Sequence, residues 1–305
     1  MTVTTPLSGP LSGPLSGPLS GPLSASLSAS LSASHSASLS APLDITHDGA
    51  ILRLTLNRPD MRNAFDETLI AALTTAVKQA GEDPRVRVLL LTGAGKAFCA
   101  GGDLNWMRKM ATYSDADNRA DAARLADMLH TIWSCPKPVV ACVNGDAYAG
   151  GMGLLSACDI AVAADSAHFC LSETRLGLLP ATISPYVIRA MGERAANRYF
   201  LTAERFDAAT ALRLGLLHEV VPAEQLHDTA NAICRTLCAN GPDAVQASKR
   251  LVRDFAGQPV NAALINDTVE RIAACRSTDE AREGVAAFLE KREPSWRVES
   301  GTHSI

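Results

Sequence analysis

The chain is short of charge where it begins. No Lys, Arg, Asp or Glu lies between Met1 and Pro42, and the first arginine is Arg53. A secretory signal needs a basic region and a continuous apolar run, and a mitochondrial leader is rich in arginine, so neither is expected here. Long hydrophobic runs are missing as well. No apolar stretch reaches the roughly 18 residues that a membrane-spanning helix requires. The eight cysteines (Cys99, Cys135, Cys142, Cys158, Cys170, Cys234, Cys238 and Cys275) form no C-x-x-C pair and sit mostly in apolar segments. That pattern fits free, buried thiols in a reducing cytoplasm; it does not suggest a disulfide framework or a metal site. There is no excess of positive charge: the net charge is −4, which argues against nucleic acid as a ligand.

Residues 7–24 repeat Leu-Ser-Gly-Pro, and a drifting Leu-Ser-Ala-Ser repeat follows to about residue 42. Such a repeat holds no apolar helix face, and residues 1–43 read as a disordered low-complexity tail. The remainder is long enough for one large α/β domain or a core with a helical appendage, and 47% hydrophobic residues supply a sizeable core. "ILRLTLNRP", "RVRVLLLTG", "PVVACVNG" and "DIAVAAD" read as strands, the second and third as buried ones. "FDETLIAALTTAVKQAGED" has Leu69, Leu73 and Val77 at helical spacing, and "LADMLHTIWSCPKP" reads as a helix ended by prolines. From about Asp207 the pattern becomes a series of helices. The expected divisions are a core over 44–205, a helical region over 206–296 serving as an arm or subunit contact, and a flexible tail over 297–305.

Two glycine-rich loops carry the chemistry. "GKAFCAGGDLNWM" (95–107) and "NGDAYAGGMG" (144–153) each follow a predicted buried strand and precede a helical pattern. The first loop lacks both G-x-G-x-x-G and G-K-[ST], so it is neither a dinucleotide fingerprint nor a phosphate loop. Helix-start N–H groups have no intrahelical partner and favour negative charge. Two of them converging from separate loops make an oxyanion hole.

Taken together, "LNRPDMRNAF", "LLLTGAGKAFCAGGDL", "KPVVACVNGDAYAGGMGLLSACDIAVAADSAHFCLSE", "RLGLLP" and "AFLEKR" resemble the enoyl-CoA hydratase/isomerase, or crotonase, superfamily. The match runs from about Asp44 to Trp296. The resemblance implies an α/β fold, a spiral of ββα units with a C-terminal helical region that assembles trimers or dimers of trimers. It also implies a coenzyme A thioester as substrate and no prosthetic group. The amides of Gly102 and Gly150 fall on the two oxyanion donors, each worth about 3–4 kcal/mol of transition-state stabilisation by analogy. Coenzyme contacts fall on Arg62, Ala64, Ala100, Gly102, Asp103 and Leu104, and on Phe288 and Lys291, the last two often from a neighbouring subunit.

Many hydratases of this family use two glutamates. Here the first falls on Gly153 and the second on Glu173, so Glu173 is left to act almost alone. Its two oxygens allow that: one gives a proton to C2 while the other takes one from the attacking water. Burial among Phe169, Leu171 and Leu176 is expected to raise its pKa. Asp146 is expected in a turn or cap, Asp103 as a helix N-cap, Asp159 as structural, and His130 and His168 as satisfied core histidines. The stretches "CAGGDLNWM", "GGMGLLSACDI" and the segment from "LGLLPATISPYV" onward resemble the branch that hydrates 3-methylglutaconyl-CoA and isohexenylglutaconyl-CoA. A second substrate carboxylate needs a polar partner. Asn105, Arg108, Lys109 and Arg175 are the candidates, with Trp106 as an apolar wall and Tyr186 reshaping the acyl pocket. The alternatives are a double-bond isomerase and an acyl-CoA-binding protein without catalysis.

Overall fold

The structure, a computed structural model, describes residues 41–297. The tails expected over 1–43 and 297–305 therefore fall outside the described residues except at their inner ends. There Leu43 is already part of the fold: it opens the first strand and is buried in the core.

The elements run β1 (Leu43–Asp48), β2 (Ile51–Leu56), α1 (Glu67–Glu82), β3 (Val88–Gly93), β4 (Ala97–Cys99), α2 (Leu104–Met110) and α3 (Asp115–Ser134). Next come β5 (Val139–Val143), β6 (Asp146–Tyr148), α4 (Gly150–Ala157), β7 (Ile160–Ala164), β8 (His168–Cys170), α5 (Ser184–Met191) and α6 (Glu193–Thr202). The chain then passes through β9 (Phe206–Asp207), α7 (Ala208–Arg213), β10 (Glu219–Val221), α8 (Leu226–Ala239), α9 (Pro242–Phe255), α10 (Ala262–Arg276) and α11 (Asp279–Glu290).

Among the described residues the strands form a six-stranded sheet, β1-β2-β3-β5-β7-β10, and a four-stranded sheet, β4-β6-β8-β9. Both are mixed. Only β1/β2 and β8/β9 pair antiparallel. The pairs β3/β4, β5/β6 and β7/β8 repeat one pattern, with the first strand in the large sheet and the second in the small one, before the chain enters helices. This is the spiral of ββα units.

The large sheet is covered on both faces, which is why its central strands read as unbroken apolar runs. Side chains alternate between faces. Leu89, Leu91, Ala141 and Ala163 join the main core with α1 and α3. Val88, Leu90, Val140, Cys142 and Val162 join a second cluster sealed by Leu226, Ala230 and Cys234 of α8.

The expected change of character at 205/206 is not where the packing changes. β9 and β10 lie beyond it and pair with β8 and β7, and α8 closes the core. Strands of two or three residues are too short for a period-two pattern to register. The exposed helical layer begins instead at α9, which like α10 buries no residue in the chain.

Candidate active site

In the small sheet, β4, β6 and β8 run parallel, with Cys99 opposite Ala147 and Tyr148 opposite Cys170. Their C-terminal ends therefore lie along one edge. Gly102 follows β4 by three residues, Gly150 follows β6 by two, and Glu173 follows β8 by three. At a strand spacing of about 4.8 Å, the C-terminal ends of β4 and β8 lie roughly 10 Å apart across the sheet, with that of β6 between them.

The first loop turns at Gly101, whose φ of +90° is a conformation that L side chains rarely adopt. A Cβ there would stand 3.0 Å from the Tyr148 carbonyl oxygen and 3.4 Å from the Gly150 nitrogen, so the two loops touch. The second loop passes through Ala149 at φ 47°, ψ −116°, strained for a non-glycine residue, with its N–H donating to the Cys170 carbonyl at 2.8 Å. Gly150 then opens α4. Among the described residues neither the Gly102 nor the Gly150 amide donates to any protein group. The Trp106 ring lies 3.6 Å from a Cβ built on Gly102, and its Nε1 donates to Asp121 at 3.3 Å. Phe65 Cε2 lies 2.9 Å from a Cβ built on Gly150, so any side chain there displaces the buried Phe65 ring.

Glu173 begins a short 3-10 turn, Glu173–Leu176. It is half-buried, and its Oε2 is buried with no hydrogen-bond partner among the described residues. Burial raises its pKa above the usual carboxyl value. An orphaned, dehydrated oxygen is costly to ionise, so the neutral acid is favoured. Phe169 and Leu171 are buried as expected, but Leu176 is 61% exposed and contributes no wall.

The position that would carry a second acid is closed. A Cβ on Gly153 would fall 2.1 Å from Cγ2 of Ile183, which is itself 2% exposed. Ile183 precedes α5, and close packing of α4 on α5 is possible because residue 153 has no side chain.

Several expectations need correcting. Asp103 caps α2 as foreseen, accepting from the Asn105 and Trp106 amides. It is not a coenzyme contact, however: its side chain is 3% exposed and ion-paired with Arg58, its N–H donates to Phe65, and its carbonyl accepts from Met107. Burial pushes its pKa up, but the two amides and the Arg58 guanidinium outweigh that and hold it low. Ala64 is buried, and its carbonyl accepts from Arg58. The Arg62 carbonyl accepts from Ala100 N–H at 3.0 Å, while its side chain and that of Leu104 are exposed. Phe288 (82% exposed) and Lys291 stand at the end of α11, which packs on α9 and α10; the chain's own fold does not bring them to the glycine loops.

None of the candidate partners for a second carboxylate is unengaged. Arg108 donates to Asn105 at 2.6 Å, Lys109 pairs with Glu67, and Arg175 donates to the Ala203 carbonyl. Tyr186 is half-buried on α5 with its ring 6.4 Å from that of Trp133. His130 is exposed, not a core residue. Nor is His168 satisfied: its Nδ1 is buried without a partner, 3.5 Å from Asp146. Asp146 accepts from His168 N–H and the Tyr148 hydroxyl. Asp159 is structural, paired with Lys249 and Arg253. The eight cysteines are free thiols. No described helix is long and apolar enough to cross a membrane.

Sequence reasoning missed Arg58, Asn63 and Ile183. Asn63 is 0% exposed at φ 56° and donates to the Ala94 and Ala97 carbonyls, pinning the loop that carries Arg62 and Ala64. A polar residue inside "LNRPDMRNAF" was the available sign.

The parallel strands β4, β6 and β8 are thus followed by two amides without a protein acceptor and a carboxyl with an unpartnered oxygen. A family model described as enoyl-CoA hydratase/isomerase matches residues 46–299, and the chain belongs to that family. It is 31% identical over 260 residues to the 2,3-dehydroadipyl-CoA hydratase of Escherichia coli, covering 84% of this chain and 98% of the relative. It is 33% identical over 261 residues to the carnitinyl-CoA dehydratase of the same species, with the same coverage. A crystal structure of an enoyl-CoA hydratase from Shewanella pealeana superposes with a TM-score of 0.81 at 42% identity, covering 84% of this chain and 96% of that one. The protein is an enzyme of the hydro-lyase class with enoyl-CoA hydratase-type activity.

Proposed function

We propose that the enzyme hydrates the 2,3 double bond of an enoyl-CoA thioester, with the Gly102 and Gly150 amides holding the thioester oxygen and Glu173 as the sole acid and base. The observation that supports this reading is that β4, β6 and β8 run parallel and are followed within three residues by two unpartnered amides and a carboxyl with an unpartnered oxygen. As the amides stabilise negative charge on the thioester oxygen, C3 becomes electrophilic and water attacks it. Glu173 delivers its proton to C2 through one oxygen and takes the water's proton at the other. A C–O bond forms at C3 and a C–H bond at C2, and the carboxyl ends protonated, as it began.

The coenzyme lies along Arg62, Ala100 and Leu104, with Phe288 and Lys291 reaching it from another copy of the chain. The exposed apolar side chains of α9–α11, among them Leu251, Val269, Ile272 and Val285, suit the contact between copies in a trimer. The free thiols suit a reducing cytoplasm. The substrate we favour is 3-methylglutaconyl-CoA, on the motif resemblance. Its second carboxylate then exchanges with Asn105 for the exposed Arg108.

The test is kinetic: turnover of crotonyl-CoA, 3-methylglutaconyl-CoA, isohexenylglutaconyl-CoA and 2,3-dehydroadipyl-CoA, followed by loss of the conjugated-thioester absorbance. Highest kcat/KM on 3-methylglutaconyl-CoA supports the assignment, and a preference for another member replaces it. A single carboxyl also suits double-bond isomerisation, because Gly153 leaves no second acid. Conversion of a 3-enoyl-CoA without hydration of any 2-enoyl-CoA would establish that reading instead.

A further inference from the structure

Arg58, which the reaction as described does not use, lies behind the first glycine loop. Its side chain is 18% exposed, and its Nη2 contacts Asp66 at 3.0 Å and Asp103 at 2.9 Å. Asp66 caps α1 and Asp103 caps α2. Nη1 donates to the carbonyl of Ala64. That carbonyl shares a peptide unit with the Phe65 N–H, which points the opposite way because the peptide is planar and trans. The Phe65 N–H donates to the Gly101 carbonyl at 2.7 Å. The Gly101 carbonyl in turn shares its peptide unit with the Gly102 N–H, which emerges on the far side without a protein acceptor. The return bond, Asp103 N–H to the Phe65 carbonyl at 2.8 Å, closes the bracket around Gly102.

We propose that Arg58 is a positioning residue that heads a relay of two peptide units and thereby aims and polarises the Gly102 amide. A cation at one end of a hydrogen-bonded chain strengthens each successive donor, and its effect grows as negative charge develops at the other end. Asp66 and Asp103 hold the guanidinium against the Ala64 carbonyl, so it does not turn to solvent. The inference rests on the reading of Gly102 as a donor to the thioester oxygen.

The experiment uses the full chain in a Glu173→Gln background, which slows turnover by at least about 10²-fold, with crotonyl-CoA carrying 13C at the thioester carbonyl. Isotope-edited infrared difference spectra report how strongly that carbonyl is polarised. In the parent the bound band is expected below its position in water. In Arg58→Gln it is expected to move back toward the free value, with Arg58→Lys between them, because lysine keeps the charge but not the fork that reaches three partners. With Glu173 intact, kcat is expected to fall about tenfold, a fraction of the effect of deleting a donor. KM for crotonyl-CoA should change little. A parent-like band in both Arg58 variants overturns the inference alone, whatever happens to their melting temperature. A band unshifted already in the parent overturns the oxyanion reading and this inference with it. Should Arg58→Gln not fold, Arg58→Lys carries the test by itself.

Discussion

As the proposed acid and base, Glu173 has to be buried enough to keep a proton yet placed to lose it to carbon. Burial raises its pKa, and its Oε2 has no partner to hold a negative charge. Because the protonated form delivers the proton, kcat/KM is expected to be highest at low pH and to fall as pH rises through that raised value; a pH–rate profile checks this. Glu173→Gln is expected to lose at least about 10²-fold in kcat and to retain coenzyme A binding, measured by calorimetry. Linkage gives a second readout. A carboxyl with a raised folded pKa contributes stability that is fully present below its unfolded pKa and is lost as pH rises through the folded value. Glu173→Gln should therefore gain in melting temperature over the parent as pH rises from acid to neutral, with no gain at the acid end. Gly153 is a packing residue with a catalytic consequence. Gly153→Ala sets a methyl 2.1 Å from Ile183 Cγ2 and is expected to destabilise by about 1–3 kcal/mol. In denaturant titrations, Gly153→Ala/Ile183→Ala should cost less than the sum of the two single changes, since the 2.1 Å contact with Cγ2 is removed and only the Ile183 Cβ, at 2.6 Å, still presses on the new methyl.

At the scale of elements, the site is an edge property. Three strands of three residues each end beside one another and bring together residues separated by tens of positions in the chain. The helices act as fixtures. α3 is started by a capping box in which Ser114 and Asp117 satisfy each other's backbone N–H groups. α9 is tied to the core by Lys249 and Arg253, which share Asp159, and by the Lys249 ammonium donating to the Lys137 carbonyl at 2.7 Å. Arg253 also lies over the Trp133 ring at 4.5 Å. The Lys249 side chain is 6% exposed, and its pKa is lowered by burial. Asp159→Ala leaves that ammonium uncompensated and is expected to cost about 3–5 kcal/mol, measured by urea unfolding.

For the whole molecule, the C-terminal layer leaves apolar side chains exposed, as the proposed trimer requires. α9, α10 and α11 enclose a cleft of about 1020 Å³ whose walls include Leu251, Val269, Ile272 and Val285. Apolar surface of that extent is unfavourable in water and suits association. Ile272→Asp is expected to shift the protein toward lower-mass species in sedimentation velocity, with the far-ultraviolet circular dichroism unchanged. Loss of activity in the dissociated form would indicate that Phe288 and Lys291 serve a neighbouring copy.

The sequence by itself determined the long elements and the chemistry of the loops. Apolar runs covered on both faces, amphipathic helices and glycines at helix starts are written in nearest-neighbour patterns, so β3, β5, β7, α1 and the glycine loops were legible. Glu173 and Gly153 were legible through their motif. Tertiary structure alone decided the rest. Strands as short as β4, β6 and β8 have no periodicity of their own and form because each is paired across the sheet. Arg58 acquires its place because distant segments converge on one guanidinium. Gly153 owes its bareness to Ile183, thirty residues further along the chain, which occupies the space that a side chain at 153 would need.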